Sequence, residues 1–361
     1  MTRFLFVSTP MGPLGSGAGG GVELMLTNLA QELVRQGDQV HILAPAGSMV
    51  EGVPCTTAPG LSPLYAQASA RTGPIEISLP SVLANLWEQA FAIQQDFDVI
   101  INWAYDWLPF YLTRFFQTPV AHIVSMGSLT DALDLTLEQT LQAFPGRVAV
   151  HSLAQATTFK FAQSAIATGE NPFFVLPCGI DLSCYTFVPE ADGPLCWVGR
   201  ISPEKGLEDC AAIAQRLQMP VNVLGRLQDV DYWQWVRRQY PEAPLKYLGF
   251  FPTEQMQAIM GQSRAMLMTQ KWTEAFGVVV VEALACGVPV ITYRRGGPAE
   301  IVEDGLTGWI VEPDDVDEMV AALDRIDKVD RHTCRQQAET RYSLQAMATQ
   351  FKLWTEQVRS L

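Results

Sequence analysis

No apolar run in this chain reaches the about 18 residues that a membrane-spanning helix needs. The apolar opening ends at Ser8 and is broken by Pro10, too short for the core of a signal peptide. The seven cysteines are an odd number, without C-x-x-C or Cys/His spacing. That excludes a disulfide framework and a structural zinc, and it fits the reduced thiols of a cytoplasmic protein. Basic charge is scarce: 24 Lys and Arg stand against 38 Asp and Glu, a net charge of −14. Such a balance excludes nucleic acid and an acidic membrane surface as main partners, while a local basic pocket stays open to it. Short-period repeats are absent. What the chain has is core material, 48% hydrophobic against 17% charged over 361 residues, enough for two domains.

The pattern along the chain alternates strand and helix. Phe4–Ser8 reads as a buried strand, followed by a glycine-rich loop, Gly12 to Gly21. The apolar face Val22, Leu26, Leu29, Ala30, Leu33, Val34 predicts a helix that Gly37 ends, and Val40–Leu43 is the next strand. This is a parallel crossover unit. Residues 46–79 carry no period and read as a long excursion. Helix 81–95, strand 99–103, helix 107–116, strand 120–124, helix 130–143, strand 148–150, helix 152–164 and strand 173–176 follow. Pro177-Cys-Gly-Ile-Asp181 reads as a linker. A second run then offers strands at 195–198, 221–224, 246–249, 265–268, 290–293 and 309–311, with helices between and terminal helices at 314–327 and 343–360. The expected class is α/β, two Rossmann-like doubly wound domains: 1–177, 178–342, and a last helix 343–361 returning to the first domain.

Chemistry concentrates in Thr269–Val290. Glu274 and Glu282 are separated by seven residues, and Gly287 with Pro289 closes the segment. A helix over 275–286 would start beside Glu274, put Glu282 roughly 12 Å further along, and aim the N–H groups of Phe276 and Gly277 at an anion. Val278–Val281 has strand propensity, but the flanking glycine and the next strand at Val290 favour a helix. An ordinary buried helix with two incidental glutamates is the plain alternative. Gly199-Arg200-Ile-Ser-Pro-Glu204-Lys205-Gly206 follows a strand and opens a helix. The guanidinium fork and the mobile ammonium suit a diphosphate, unless Glu204 merely neutralises Lys205 on the surface.

Gly15-Ser-Gly17-Ala-Gly19-Gly20 matches a dinucleotide fingerprint in form, but the second strand ends Leu43-Ala44-Pro45 with no carboxylate for a ribose. An NAD(P)-dependent oxidoreductase is therefore the disfavoured alternative, against a pliable loop beside a phosphate or sugar, or a tight turn. Asp96/Asp98 precedes a strand instead of following one. Asp229/Asp231 and Asp315/Asp317 fall at helix starts, where Asp caps; none reads as a metal ligand. His122 lies on a strand and His151 closes another; a lone strand histidine is commonly a core residue. Asn102-Trp103-Ala-Tyr105-Asp106-Trp107 reads either as core packing or as a platform for a flat acceptor, with Asp106, as a two-oxygen fork, or Asn102 reading its polar edge.

Together, G-R-x4-K-G at 199–206, E-x-F-G-x4-E at 274–282, the glycine-rich loop, the linker and Arg295-Gly-Gly297-Pro-Ala-Glu300 resemble the retaining GT-B glycosyltransferases of family 4. The resemblance covers nearly the whole chain. It implies two domains facing a central cleft, an NDP-sugar bound by the second without a metal or other cofactor, and a small-molecule acceptor bound by the first. By position, Arg200 and Lys205 would hold the diphosphate, Glu274 the donor hexose and Glu282 the ribose. Gly19 and Gly20 would lie near the phosphate or acceptor, and His122 near the reacting sugar, without its usual acidic neighbour. FLFVSTPMGPLGSGAGGGVEL, AYDWLPFYLTRFF, AVHSLAQATTF and VGRISPEKGLEDC are further similar to glucosyltransferases that move glucose from UDP-glucose to tetrahydrobiopterin. That similarity implies Trp103, Tyr105, Asp106 and Trp107 as the pterin slot. Acceptors that are sugars or lipids are the rivals within the class; a lipid would prefer a basic amphipathic face, which Glu23, Glu32 and Arg35 do not make.

Overall fold

The computed structural model describes residues 1–15, 20–63 and 70–360. Gly19 lies outside them. The chain forms two compact units, one of residues 1–179 joined by the chain's last helix, the other Ile180–Ser343.

The first unit runs β1 (Arg3–Val7), α1 (Gly21–Arg35), β2 (Gln39–Pro45), β3 (Cys55–Ala58), α2 (Val82–Ile93), β4 (Val99–Asn102), α3 (Trp107–Leu112), β5 (Val120–Val124), α4 (Asp131–Ala143), β6 (Val148–Val150), α5 (Leu153–Ala156), α6 (Lys160–Ala167) and β7 (Phe174–Val175). Its sheet is parallel, in the order β3-β2-β1-β4-β5-β6-β7. Strands such as Phe4–Val7 and Val120–Val124 are apolar without alternation because both faces of such a sheet are covered. Leu83, Leu86, Trp87 and Ala90 of α2 close one face over Leu5, Val7 and Ile100. Leu133, Leu137 and Leu141 of α4 pack with Val148, Val150 and Phe159.

The second unit runs β8 (Leu195–Val198), α7 (Leu207–Leu217), β9 (Val221–Leu224), α8 (Val230–Gln239), β10 (Leu245–Gly249), α9 (Thr253–Gly261), β11 (Met266–Met268), α10 (Val278–Ala285), β12 (Val290–Tyr293), α11 (Pro298–Ile301), β13 (Gly308–Val311), α12 (Val316–Leu323) and α13 (Arg331–Arg341). Its order, β10-β9-β8-β11-β12-β13, repeats the first unit's plan. Each sheet reverses winding once, between β1 and β4 and between β8 and β11, and such a switch point opens a crevice at the strands' C-terminal ends. The last helix, α14 (Leu344–Ser360), belongs to the first unit: Phe351 packs on Phe4 and Phe6, the Trp354 indole donates to Gly146 O at 2.8 Å, and Lys352 pairs with Asp38 at 2.6 Å.

Several elements differ from the sequence reading. The excursion 46–79 contains β3, which pairs with β2. The helix expected over 152–164 is two, because Phe159 is extended and its ring is fully buried in the core. The helix over 314–327 stops at Leu323, and α13, polar along most of its length, is stabilised by packing on α10. The helix expected from Ala275 starts instead at Val278. Gly277 has φ +92° and ends the preceding loop, so Glu274 is a loop residue and the helical spacing to Glu282 does not apply.

Candidate active site

The switch point of the second unit gathers the charged residues. Past β8 comes Gly199-Arg200, and past β11 comes Thr269–Trp272; the Trp197 indole bridges the two strand ends through Thr269 Oγ1 at 3.0 Å. Lys205 Nζ meets the Glu274 carboxylate across 69 positions of sequence, both side chains mostly buried. Arg200 reaches Gln228 Oε1 at 3.1 Å and Glu204 Oε1 at 3.3 Å. Glu204 therefore neutralises Arg200, not Lys205 as one reading had it. Ser202 Oγ steadies Glu204 at 2.7 Å.

The loops can approach this closely because of glycine. Gly206 sits at φ +67°, and a Cβ there would stand 1.9 Å from Thr269 O. Gly296, at φ +73°, would put a Cβ 2.6 Å from Glu274 N, and Gly297 N–H donates to Glu274 O at 2.8 Å. The Arg295-Gly-Gly segment thus fixes the backbone that carries Glu274.

The sequence reading missed Trp272. Its indole donates to Glu274 Oε2 at 3.1 Å, and its ring lies under Lys205 Nζ, 4.9 Å from the centroid. It touches both members of the pair, and the only signal for it was an aromatic two residues before Glu274. A further charged network adjoins: Lys271 pairs with Asp209 and Asp314, Tyr293 donates to Asp209 at 2.5 Å, and Arg295 grips Asp314, whose pKa falls to about 2 beside that guanidinium.

Glu282 is buried on α10 and accepts from the Tyr185 hydroxyl at 2.6 Å; burial raises its pKa. Phe276 is buried edge-on against Tyr342, and Gly277 accepts from Val280 N–H as the cap of α10. The expectation that the Phe276 and Gly277 amides head a helix is corrected, since the first helical turn begins one residue beyond them.

The segments just past the first unit's strands, 8–15, 103–106, 125–130 and 151–154, carry no Lys or Arg. His122 is a correction: it is fully buried. Thr113 Oγ1 donates to Pro109 O at 2.9 Å and so accepts from His122 Nε2 at 2.8 Å; Asn102 Nδ2 then donates to Nδ1 at 3.1 Å. Both ring nitrogens are used, and burial lowers the pKa to about 3. A strand-centre residue pointing into the core cannot meet a sugar.

Trp103 is 1% and Tyr105 8% exposed, so neither offers a stacking face. Trp103 packs on Phe6, and its indole N–H has no partner among the described residues. Asp106 caps α3, Oδ1 accepting from Leu108 N–H at 3.0 Å. That leaves one oxygen where a fork needs two. Trp107 is half-buried and stacks on Tyr111, centroids 4.8 Å apart. Gly20 N–H donates to Glu23 Oε2 at 2.8 Å, and Thr9 Oγ1 to Glu23 Oε1 at 2.5 Å, so a carboxylate already occupies the head of α1. This disfavours a phosphate there.

The aspartate pairs have ordinary roles. Asp98 binds Arg3 at 2.6 Å, and Asp229 and Asp315 cap α8 and α12. No group of three or more His, Cys, Asp or Glu disposed to hold a metal occurs among the described residues, and none of their helices is long and apolar enough to cross a membrane.

Residues 19–183 match the family model described as Glycosyltransferase Family 4, and residues 188–341 the model described as Glycosyl transferases group 1. A D-inositol 3-phosphate glycosyltransferase of Corynebacterium aurimucosum is 23% identical over 368 residues, spanning 90% of this chain and 87% of its own. The sucrose-phosphate synthase of Thermosynechococcus elongatus shares the fold at a TM-score of 0.75 and 18% identity, over 100% of both chains. Anabaena HepE, solved in complex with UDP, does so at 0.74 and 19%, over 99% of this chain and 100% of its own. An oxidoreductase finds no support in these likenesses.

Proposed function

The chain is a GT-B glycosyltransferase, with a family 4 first domain and a group 1 second domain, and from that premise we propose that it moves glucose, with retention, from UDP-glucose to a side-chain hydroxyl of a reduced pterin such as tetrahydrobiopterin. The observation that carries the donor half is the Lys205–Glu274 contact. The two residues expected at opposite ends of the glucosyl phosphate already meet, with Arg200 on the same strand-end loop as Lys205. The donor would part them: Lys205 and Arg200 turn to the diphosphate, and Glu274 is freed to accept from the hexose hydroxyls. Glu282 is assigned to the ribose, for which the Tyr185 hydroxyl must yield.

In this reading the C1–oxygen bond to the phosphate breaks as C1 bonds the acceptor oxygen on the same face. The acceptor proton passes to the leaving phosphate oxygen, and UDP departs. Arg200 and Lys205 stabilise the charge that develops on the diphosphate, a role in which preorganised cations are worth most. Glu274 positions the sugar and forms no covalent bond to it. No metal is required, because side-chain cations serve the phosphates.

The acceptor half rests on the pterin-enzyme-like stretches and on the edge of the first unit, whose strand-end segments lack cations. No Lys or Arg occurs in segments 8–15, 103–106, 125–130 or 151–154. Arg71, which reaches Ser128 at 3.0 Å, is paired with Asp131 and Asp134. A neutral heterocycle suits that edge better than a phosphorylated acceptor. The second reading, a sugar-type acceptor, is favoured by the inositol phosphate and sucrose phosphate enzymes among the relatives. The test is incubation with UDP-glucose or GDP-mannose against tetrahydrobiopterin, inositol phosphate and hexose phosphates, with products read by mass and the anomer by NMR. The α-glucosylated pterin is expected. Transfer to a sugar phosphate alone would replace the pterin with the second reading.

A further inference from the structure

Ser125 and His151 are the residues that follow β5 and β6, and the pairing of Val124 with Val150 sets them side by side at the C-terminal edge of the first sheet. Ser125 Oγ lies 2.9 Å from His151 Nε2. His151 Nδ1 lies 2.9 Å from Leu176 O, a carbonyl that can only accept, so Nδ1 carries the proton. Nε2 is then a lone pair, and Ser125 must donate to it. The Ser125 oxygen can still accept a hydrogen bond while it donates to His151, and the residue is half-buried.

The setting is more rigid than a strand end requires. Gln155 is fully buried, and its side chain makes three bonds: Nε2 to Val124 O at 2.6 Å and to Met126 O at 2.9 Å, and Oε1 from His151 N–H at 2.7 Å. One amide therefore clamps the backbone on both sides of Ser125 and the backbone of its partner. Burial keeps His151 neutral, its pKa near 4, so the imidazole is too weak a base to take the acceptor's proton at neutral pH. The pair can orient an alcohol but is not a general base.

We propose that Ser125, held by His151 and Gln155, is the seat for the non-reacting hydroxyl of a vicinal-diol acceptor. It accepts that hydroxyl's proton in a hydrogen bond and so presents the neighbouring hydroxyl for transfer. The inference rests on the glycosyltransferase reading and deepens it. A diol is common to a dihydroxypropyl pterin side chain and to sugars and inositols, so the seat serves either acceptor class. With its own proton held by His151, the Ser125 oxygen offers an acceptor, which matches a hydroxyl donor. Ser125 is thus a positioning residue, and it acts on acceptor binding.

The experiment compares wild type, Ser125→Ala and Ser125→Thr, using tetrahydrobiopterin and inositol as diols and 6-hydroxymethyl tetrahydropterin as the single alcohol. Acceptor KM, UDP affinity and Tm are read for each. Ser125→Ala is expected to raise the diol KM roughly three- to tenfold, the worth of one neutral hydrogen bond. The single-alcohol KM and UDP affinity should hold, and Ser125→Thr should restore the diol. Equal KM changes for diol and single alcohol, or no change with either, would overturn the seat, as would a fall in Tm that accounts for every kinetic loss. A wild type that consumes UDP-glucose but transfers to no diol also contradicts the seat while leaving the donor assignment standing. A wild type that leaves UDP-glucose untouched contradicts the donor assignment itself, and this inference falls with it.

Discussion

The two units share one strand order, yet their switch-point edges carry opposite chemistry. In the second, Arg200, Lys205, Lys271 and Arg295 stand among Glu204, Glu274, Asp209 and Asp314. In the first, the strand ends hold Trp103, Asp106, Ser125 and His151, and the imidazoles are kept neutral by burial. The same backbone plan thus supports one edge crowded with paired cations and carboxylates and another whose strand-end segments carry no Lys or Arg. Fold supplies the crevice, and the residues just past each strand decide what enters it.

The comparison breaks most visibly at the clamp. Lys205→Ala and Arg200→Ala should each lower kcat/KM for the donor about ten- to hundredfold, since charge-assisted contacts are worth about 1.5–3 kcal/mol. Lys205→Ala should be the worse, because it also strips Glu274 of its partner. Steady-state kinetics with UDP-glucose would show it, and unchanged turnover in both variants would remove the clamp from the account. Trp272→Phe keeps a ring under Lys205 but loses the N–H to Glu274. A loss of roughly threefold to tenfold is expected, in kcat more than in donor KM. A change in Tm with kinetics intact would make Trp272 a packing residue only.

A second contrast is sensitivity to acid. His122 and His151 have folded pKa values lowered to about 3 and about 4 by burial. The unfolded chain, near 6.5, binds their protons first. Their contribution to stability is complete above about 6.5 and is lost progressively as pH falls toward 4 and then 3. Thermal melts across that window should show Tm falling, and His122→Asn should flatten part of the slope. The near-neutral rate profile should show no limb from His122.

Smaller effects sharpen the first unit's edge. Asp106→Ala removes the cap of α3 and should cost about 1 kcal/mol, while Asp106→Asn, an equally good cap, should leave Tm nearly unchanged. A large rise in acceptor KM with Asp106→Asn at constant Tm would show that the remaining oxygen does bind the acceptor. EDTA should do least of all, leaving activity intact; loss restored by Mg²⁺ would show that cations on the chain do not suffice for the diphosphate.

Much of this was readable in the sequence, for reasons that differ by residue. Strands such as Val120–Val124 announce themselves because they are buried on both faces. Val278–Val281 was assignable to a helix despite its β-branched run, because strand 290–293 had to follow it closely. Gly277, by contrast, looked like part of that helix; only its positive φ reveals the loop that carries Glu274. The Lys205–Glu274 contact bridges distant loops that glycines let approach, and no local pattern encodes it. His122 and Ser125 lie three residues apart in one segment, yet one points into the core and the other stands at the edge. That distinction depends on where β5 ends, and strand ends are what periodicity defines least well.

The most direct test of the division of charge is the salt dependence of the two substrates' KM values in one enzyme. Screening shortens from a Debye length of about 30 Å at 0.01 M to about 8 Å at 0.15 M salt. If the second unit alone binds by charge, the donor KM rises severalfold across that range while the acceptor KM stays flat. An acceptor KM that climbs as steeply as the donor's would contradict the account.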